Sequence, residues 1–324
     1  MRHTSREAPC GSTAASCWRI DDIVNQKRYY LLLVLVCLMF AGQGTAVKYM
    51  GRQLGPIQIT FLPFAIATIL MLPLLMRERR APHRREISAK DLGRFVIAGV
   101  GGQVVAQLGI VSGITLSLAS NAAVLGLMLP VISTLLAVVM LHERITRLRV
   151  LALVIGLLGV LLLSADQLHE SALIDMRYLA GNLLILTGIT GSAFYNVYCK
   201  SLFDKFSQVE VLVLSYIAAT IAGLFLLFCL DPLQPSLFET FTWQSWLGLS
   251  YQAVFTYGVA MLLFFQALKH LDVSAASLSL YLLPVFGVIL ASLLLGERLS
   301  GVALAGSGIV LASTLIIVKY DRVN

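Results

Sequence analysis

The chain has 324 residues, of which 58% are hydrophobic and only 13% charged, and its formal net charge is +7. Its mean hydropathy is +0.85, whereas soluble domains are about half apolar and about one-quarter charged, so a soluble globular protein, a disordered chain and a coiled coil are all excluded in favour of an integral membrane protein. Unbroken apolar runs such as 31–41 and 150–163 also exclude an outer-membrane barrel, whose strands alternate apolar and polar residues.

Residues 1–28 are polar and patternless and are expected to form a disordered cytoplasmic tail. Helical spans are predicted at 29–49, 56–76, 94–113, 119–141 and 148–165, then at 178–199, 211–230, 245–268, 273–295 and 301–318. Each is close to the roughly 20 residues that cross a bilayer. The predicted fold class is therefore an all-α polytopic membrane protein with ten transmembrane helices, ending in a short cytoplasmic segment, 319–324. The connections are too short for a separate soluble catalytic domain.

Lysine and arginine set the orientation. Of 24 such residues, 20 fall in the tail, in the loop 77–94, in the loop 144–149, and after the sixth, eighth and tenth spans. The opposite side has only Lys48, Arg52, Arg177 and Arg298. Both termini are thus predicted to be cytoplasmic, in a multi-pass protein of the plasma membrane. The positive charge marks orientation, and no nucleic-acid partner is expected. Five cysteines without a CxxC pattern point to neither a disulfide framework nor a zinc site, and no metal or cofactor is predicted.

The chain repeats itself. A shift of 154 residues lays 120–144 over 274–298 with ten identities in twenty-five positions. They include Leu129-Pro130-Val131 over Leu283-Pro284-Val285 and Glu143-Arg144 over Glu297-Arg298. A shift of 152 pairs Lys48 with Lys200. Two halves follow, 29–165 and 178–318, each of five spans. Because five is odd, the second half enters from the other side, giving an inverted repeat of the kind used for alternating access.

These residues resemble the EamA type of the drug/metabolite transporter superfamily. The resemblance covers 29–318 and is carried by Leu129-Pro130-Val131 with Leu141-His142-Glu143-Arg144, by Leu283-Pro284-Val285 with Leu295-Gly296-Glu297-Arg298, and by Lys48. It implies a secondary carrier, commonly an exporter, with its cavity between the halves. It implies no particular substrate. Family members often have an arginine in the second span, where this chain has Pro63.

No aspartate or glutamate falls in the middle of a predicted span, so the usual carboxylate proton relay is not expected. Glu143 and Glu297 open the turn before a following span, where the helix dipole stabilises a carboxylate; they are read as caps or as gating groups. Lys48 and Lys200 either snorkel to headgroups or form a gating pair. Pro130 and Pro284, and Pro63 without a partner, are candidate hinges, because proline removes a backbone hydrogen bond within a span. The amides within spans are Gln43, Gln103, Gln107, Asn121, Asn182, Asn196, Gln252 and Gln266, whose ordinary use is interhelical hydrogen bonding. Six interior tyrosines lie in the second half, at 195, 198, 216, 251, 257 and 281. Gln107, Asn121, Tyr195, Asn196, Tyr257 and Tyr281 are the expected substrate-binding residues, suited to a neutral, zwitterionic or cationic organic molecule through stacking and cation–π contact. Gly109-xxx-Gly113 and Ala98-xxx-Gly102 fit close helix approach.

The expected function is export of small organic metabolites or drugs, with the small-molecule substrate and the lipid bilayer as partners and without enzymatic activity. A nucleotide-sugar or sugar-phosphate exchanger is the alternative; it would need several basic residues facing the cavity. A lipid-modifying enzyme would need clustered His, Asp or Glu, yet the histidines are dispersed and outside the spans. A non-transporting scaffold is the third reading.

Overall fold

The structure, a computed structural model, describes residues 28–51, 53–80, 86–116, 125–163, 176–232, 241–295 and 301–320. The expectations for the tail before Arg28, for Asn121 and Glu297, and for the side chain of Lys48 lie outside the described residues.

Every regular element among the described residues is helical. A first rod comprises α1 (28–41) and α2 (Gln43–Met50), interrupted at Gly42. After α3 (Pro56–Arg79), α4 (Ala89–Val96) runs through a π-helical segment, Ile97–Val104, into α5 (Val105–Leu116). α6 (Met128–Leu141) and α7 (Arg147–Leu163) follow. The second half continues with α8 (Met176–Leu202) and α9 (Gln208–Leu230). α10 (Trp243–Tyr251) passes through a second π segment, Gln252–Ala260, into α11 (Met261–His270). α12 (Val273–Leu278), a 3₁₀ turn (Ser279–Tyr281), α13 (Leu282–Leu295) and α14 (Gly301–Tyr320) complete the order.

Among the described residues, five stretches are long and apolar enough to cross a membrane: Arg28–Val47, Pro56–Arg79, Ala89–Gly113, Gln208–Leu230 and Trp243–His270. Shorter apolar helices cover Met128–Leu141, Val273–Gly287 and Leu304–Ile316. The outer surface matches lipid rather than water as solvent: Phe228 is 80% exposed, Leu293 76% and Trp243 70%. A water-soluble monomer rarely tolerates a contiguous apolar exterior.

Helix starts carry their own hydrogen-bond acceptors. Ser88 caps α4 and Ser207 caps α9, each with its hydroxyl accepting from the backbone N–H three residues on, Asp91 at 3.2 Å and Glu210 at 3.1 Å. Both carboxylates reach back to the cap N–H, so two orphan donors are satisfied reciprocally. Glu210 also accepts from Arg79 Nη1 at 3.0 Å, joining the end of α3 to the start of α9. Thr242 caps α10 with its hydroxyl, which accepts from the Ser245 N–H at 3.3 Å, while its own N–H donates to Gln53 Oε1 at 3.0 Å.

The helices pair across the two halves. α5 packs along α8, α7 along α14, α3 along α9, α2 along α10, and α6 against both α8 and α12. In lipid there is no hydrophobic force to bring helices together, so pairing goes where small residues let backbones approach. Gly109 and Gly188 provide such a place: a Cβ on Gly188 would lie 2.6 Å from the Ile110 nitrogen, and one on Gly109 2.6 Å from the Gly188 nitrogen. At Gly42, a Cβ would meet the Tyr251 hydroxyl at 2.3 Å. That hydroxyl donates to the Met39 carbonyl at 2.9 Å, so the first rod is broken where α10 inserts a ring. Between α3 and α9, Thr68 and Thr220 are hydrogen-bonded at 2.8 Å. They are 152 residues apart, the repeat shift itself, so here a residue touches its own counterpart.

Candidate functional site

The two π segments occupy equivalent places in the two halves: a 154-residue shift carries 97–104 onto 251–258, within two residues of the second segment at either end. A π turn widens the helix and displaces its side chains, and such turns concentrate at functional sites. Both segments face one cavity of about 300 Å³, at the lower end of the range for small-molecule sites.

Residues of both halves wall this cavity. From the first half come Phe40, Ala41 and Gln43 around the α1–α2 break, Gln103 on the π segment, Gln107 on α5 and Leu129 on α6. The second half contributes Ser192, Tyr195 and Asn196 of α8, Tyr216 of α9, Thr256 and Tyr257 of the π segment, and Met261, Phe264, Leu280 and Leu283 beyond it. Among the described lining residues none is charged. The aromatic side is held rigid from behind. Phe64 lies 4.2 Å from the Tyr216 ring and 5.1 Å, edge-on, from the Tyr257 ring. Tyr216 donates to the Tyr257 carbonyl at 3.3 Å, which partners a carbonyl of the π segment inside the protein. Tyr195 is hydrogen-bonded to Ser215 Oγ at 2.9 Å.

Away from the cavity, a polar cluster joins the halves at the ends of α6, α8 and α11. Glu143 Oε1 accepts from the Val273 N–H at 2.7 Å, and its Oε2 accepts from the Ser274 N–H at 3.2 Å and hydroxyl at 2.9 Å. Lys200 Nζ is 3.8 Å from Glu143 Oε1 and donates to the Leu271 carbonyl. Arg149, buried on α7, pairs with Asp272 at 2.6 Å and donates to Ser274 Oγ at 3.1 Å. Burial outweighs the attraction of Glu143 and Asp272 and holds the Lys200 ammonium below the ordinary lysine range. An ion pair of this kind fixes one arrangement of its partners rather than adding much stability.

Of the expected substrate-binding residues, Gln107, Tyr195, Asn196 and Tyr257 line this cavity. Tyr281 does not: it is buried in the 3₁₀ turn, its ring against Gly156 of α7. Glu143 does cap a helix N-terminus, but that of α12 in the other half, not that of the α7 helix which follows it in sequence. Pro130 and Pro284 are each the third residue of a helix, α6 and α13. The turns before them are irregular, at Leu127 and at Ser279–Tyr281, so the missing N–H falls in the first turn, where a helix N–H has no intrahelical acceptor. Pro63 is inside α3. Gln43, Gln103 and Tyr216 stand out in the sequence as span residues without being expected at the site, and Phe40, Ser192, Thr256 and Met261 do not stand out at all. The repeat would have found two of them: Gln43 and Gln103 are the counterparts of Tyr195 and Tyr257 under the 152- and 154-residue shifts.

An apolar exterior, helices of membrane-spanning length and an interior cavity walled by two related halves define a membrane transporter. The chain belongs to the EamA-like transporter family, whose pattern matches residues 27–165 and again 179–319. It is 26% identical over 292 residues to an uncharacterized transporter of Archaeoglobus fulgidus, covering 90% of this chain and 98% of that one. It is 25% identical over 270 residues to a protein of Streptantibioticus cattleyicolor named as a probable terminal-alkyne amino-acid exporter, covering 82% and 83% of the two chains. A crystal structure of a protein with 18% identity superposes with a TM-score of 0.75 over 89% of this chain and 97% of that one, a likeness of fold.

Proposed function

We propose that the protein is a secondary carrier that exports small organic molecules by alternating access at the cavity between its halves. The carrying observation is the cavity itself: both halves wall it, and no charged residue is among its described lining. The exporter name of the Streptantibioticus relative supports the direction. In this reading ten helices span the plasma membrane, the halves have opposite topology, and both termini are cytoplasmic. The contact of Thr68 with its counterpart Thr220 supports a two-fold relation between the halves.

The polar cluster of Glu143, Lys200, Arg149 and Asp272 then closes the cytoplasmic side, since these residues fall in segments assigned to that face by the charge distribution. Glu297 and Lys48, their counterparts in the repeat, take the same part at the opposite face. The irregular turns ahead of Pro130 and Pro284, with the Pro63 position in α3, are where the helices bend between states. Sugar phosphates are disfavoured as cargo, because they require basic residues at the cavity wall.

The test is untargeted metabolite profiling of medium and cell extract, with the gene deleted and overexpressed. A compound that builds up outside on overexpression and inside on deletion supports export. Accumulation in the reverse sense overturns the direction, and no shifted compound overturns constitutive metabolite export.

A further inference from the structure

The two walls of the cavity differ in a regular way that the repeat exposes. Under the 152-residue shift Gln43 corresponds to Tyr195; under the 154-residue shift Gln103 corresponds to Tyr257 and Gln107 to Met261. All six line the cavity. At three equivalent positions, therefore, the first half supplies a carboxamide where the second supplies an aromatic ring or a thioether. At these three positions the first half's side of the cavity is hydrogen-bonding and the second half's is flat and polarizable, while Ser192, Asn196 and Thr256 add polar groups to the second half's side.

Each wall selects a different part of a ligand. A carboxamide carries both a donor and an acceptor, so it complements a group that does the same. Tyrosine rings and a methionine sulfur prefer the face or edge of a flat apolar group. Thr256, beside Tyr257 on the lining, has a buried hydroxyl with no hydrogen-bond partner among the described residues, a further polar group awaiting a ligand. A net charge brought here would have no described counter-charge on the lining and would be left unpaired.

We propose that the cavity takes an electrically neutral organic molecule with two ends: a flat apolar group against Tyr257 and Met261, and an amide-like group hydrogen-bonded by Gln103 and Gln107. This rests on the transporter reading and adds the class of its cargo.

The experiment uses the full-length protein in lipid nanodiscs and three nearly isosteric probes: N-acetylphenylalaninamide, neutral; N-acetylphenylalanine, an anion; and phenylalaninamide, a cation at about pH 6. Binding is read by calorimetry at that pH. The neutral probe is expected to bind at least about tenfold more tightly than either charged one. Gln107→Met, which copies the second wall onto the first, is expected to weaken neutral-probe binding by about tenfold. The thermal midpoint of that variant, unchanged because Gln107 is only partly buried, separates lost binding from lost folding. Equal or tighter binding of a charged probe, no binding of the neutral probe, or unaltered binding by Gln107→Met overturns the proposal. Any of these, with a compound still moved in the profiling experiment, sinks the two-walled cavity and leaves the carrier standing.

Discussion

The carboxylate of Glu143, at the end of α6 in the first half, sits on the first turn of α12 in the second half, accepting from the backbone N–H groups of Val273 and Ser274 at 2.7 and 3.2 Å. A helix start has four donors without intrahelical partners. Here two of them are satisfied from across the molecule, so the position of α12 depends on a side chain of the other half. Glu143→Ala is expected to cost about 2–3 kcal/mol, as for hydrogen bonds to a charged group, read from unfolding in mixed detergent micelles. In a double-mutant cycle with Lys200→Ala the coupling should be under about 1 kcal/mol, because the pair is long at 3.8 Å and the ammonium is also engaged by the Leu271 carbonyl. A coupling well above that would make the lysine, not the backbone amides, the main partner of Glu143.

The Arg149–Asp272 pair should respond unequally. Arg149 is 2% exposed at its side chain and Asp272 31%. Asp272→Asn leaves a buried guanidinium with its neutral partner Ser274 and without this carboxylate, and is expected to cost about 3 kcal/mol. Arg149→Met removes the buried charge and leaves a carboxylate that water reaches, for about 1 kcal/mol. Thermal unfolding of the two variants measures the order; the reverse order would mean that Asp272 is better shielded than its exposure indicates.

Gly188 and Gly308 give a paired test of close packing. A Cβ at Gly188 would press on backbone atoms of α5 at 2.6–2.7 Å, whereas a Cβ at Gly308 has nothing within 4 Å. Gly188→Ala is expected to destabilise by about 1–3 kcal/mol. Gly308→Ala in α14 should stabilise by up to about 1 kcal/mol through helix propensity. The ratio of folded to unfolded protein in a denaturing-detergent titration reads both.

Two tyrosines should separate transport from stability. Tyr257 lines the cavity, so Tyr257→Ala is expected to lower transport of an accepted substrate by about tenfold or more. Tyr281 packs away from it against Gly156, so Tyr281→Ala should cost about 3–5 kcal/mol of stability without changing the order of preference among substrates. Transport per folded molecule, measured in proteoliposomes for a set of substrates, distinguishes the two. Unaltered transport of every substrate by Tyr257→Ala would remove this cavity from the path.

Much of the architecture was legible in the residues, because the bilayer demands long apolar helices and the positions of lysine and arginine are a one-dimensional signal. The predicted boundaries of the segment 211–230 fall within α9, three residues from its start at Gln208. The helix at 94–113 begins earlier, at Ala89, because Ser88 and Asp91 form a reciprocal cap that hydropathy does not register. The repeat was legible too, through Leu-Pro-Val and Glu-Arg at fixed separation.

The site was legible only in part. Tyr195, Asn196 and Tyr257 were singled out as polar or aromatic residues within apolar runs, and the cavity gathers them. Tyr281 carried the same signal but faces α7. Residue type says that a side chain is unusual for lipid; it does not say which way the helix turns it.

By itself the sequence determined that this is a helical membrane protein built from two related halves, since hydropathy, charge distribution and repetition are properties of the chain in one dimension. Tertiary structure alone decided that helices pair between the halves, that Glu143 caps α12 rather than α7, and that three glutamines and their counterparts Tyr195, Tyr257 and Met261 meet around one cavity. The physical reason is that helix rotation and partner choice in lipid are set by close backbone approach and by where buried polar groups find partners, and both depend on residues far apart in the chain.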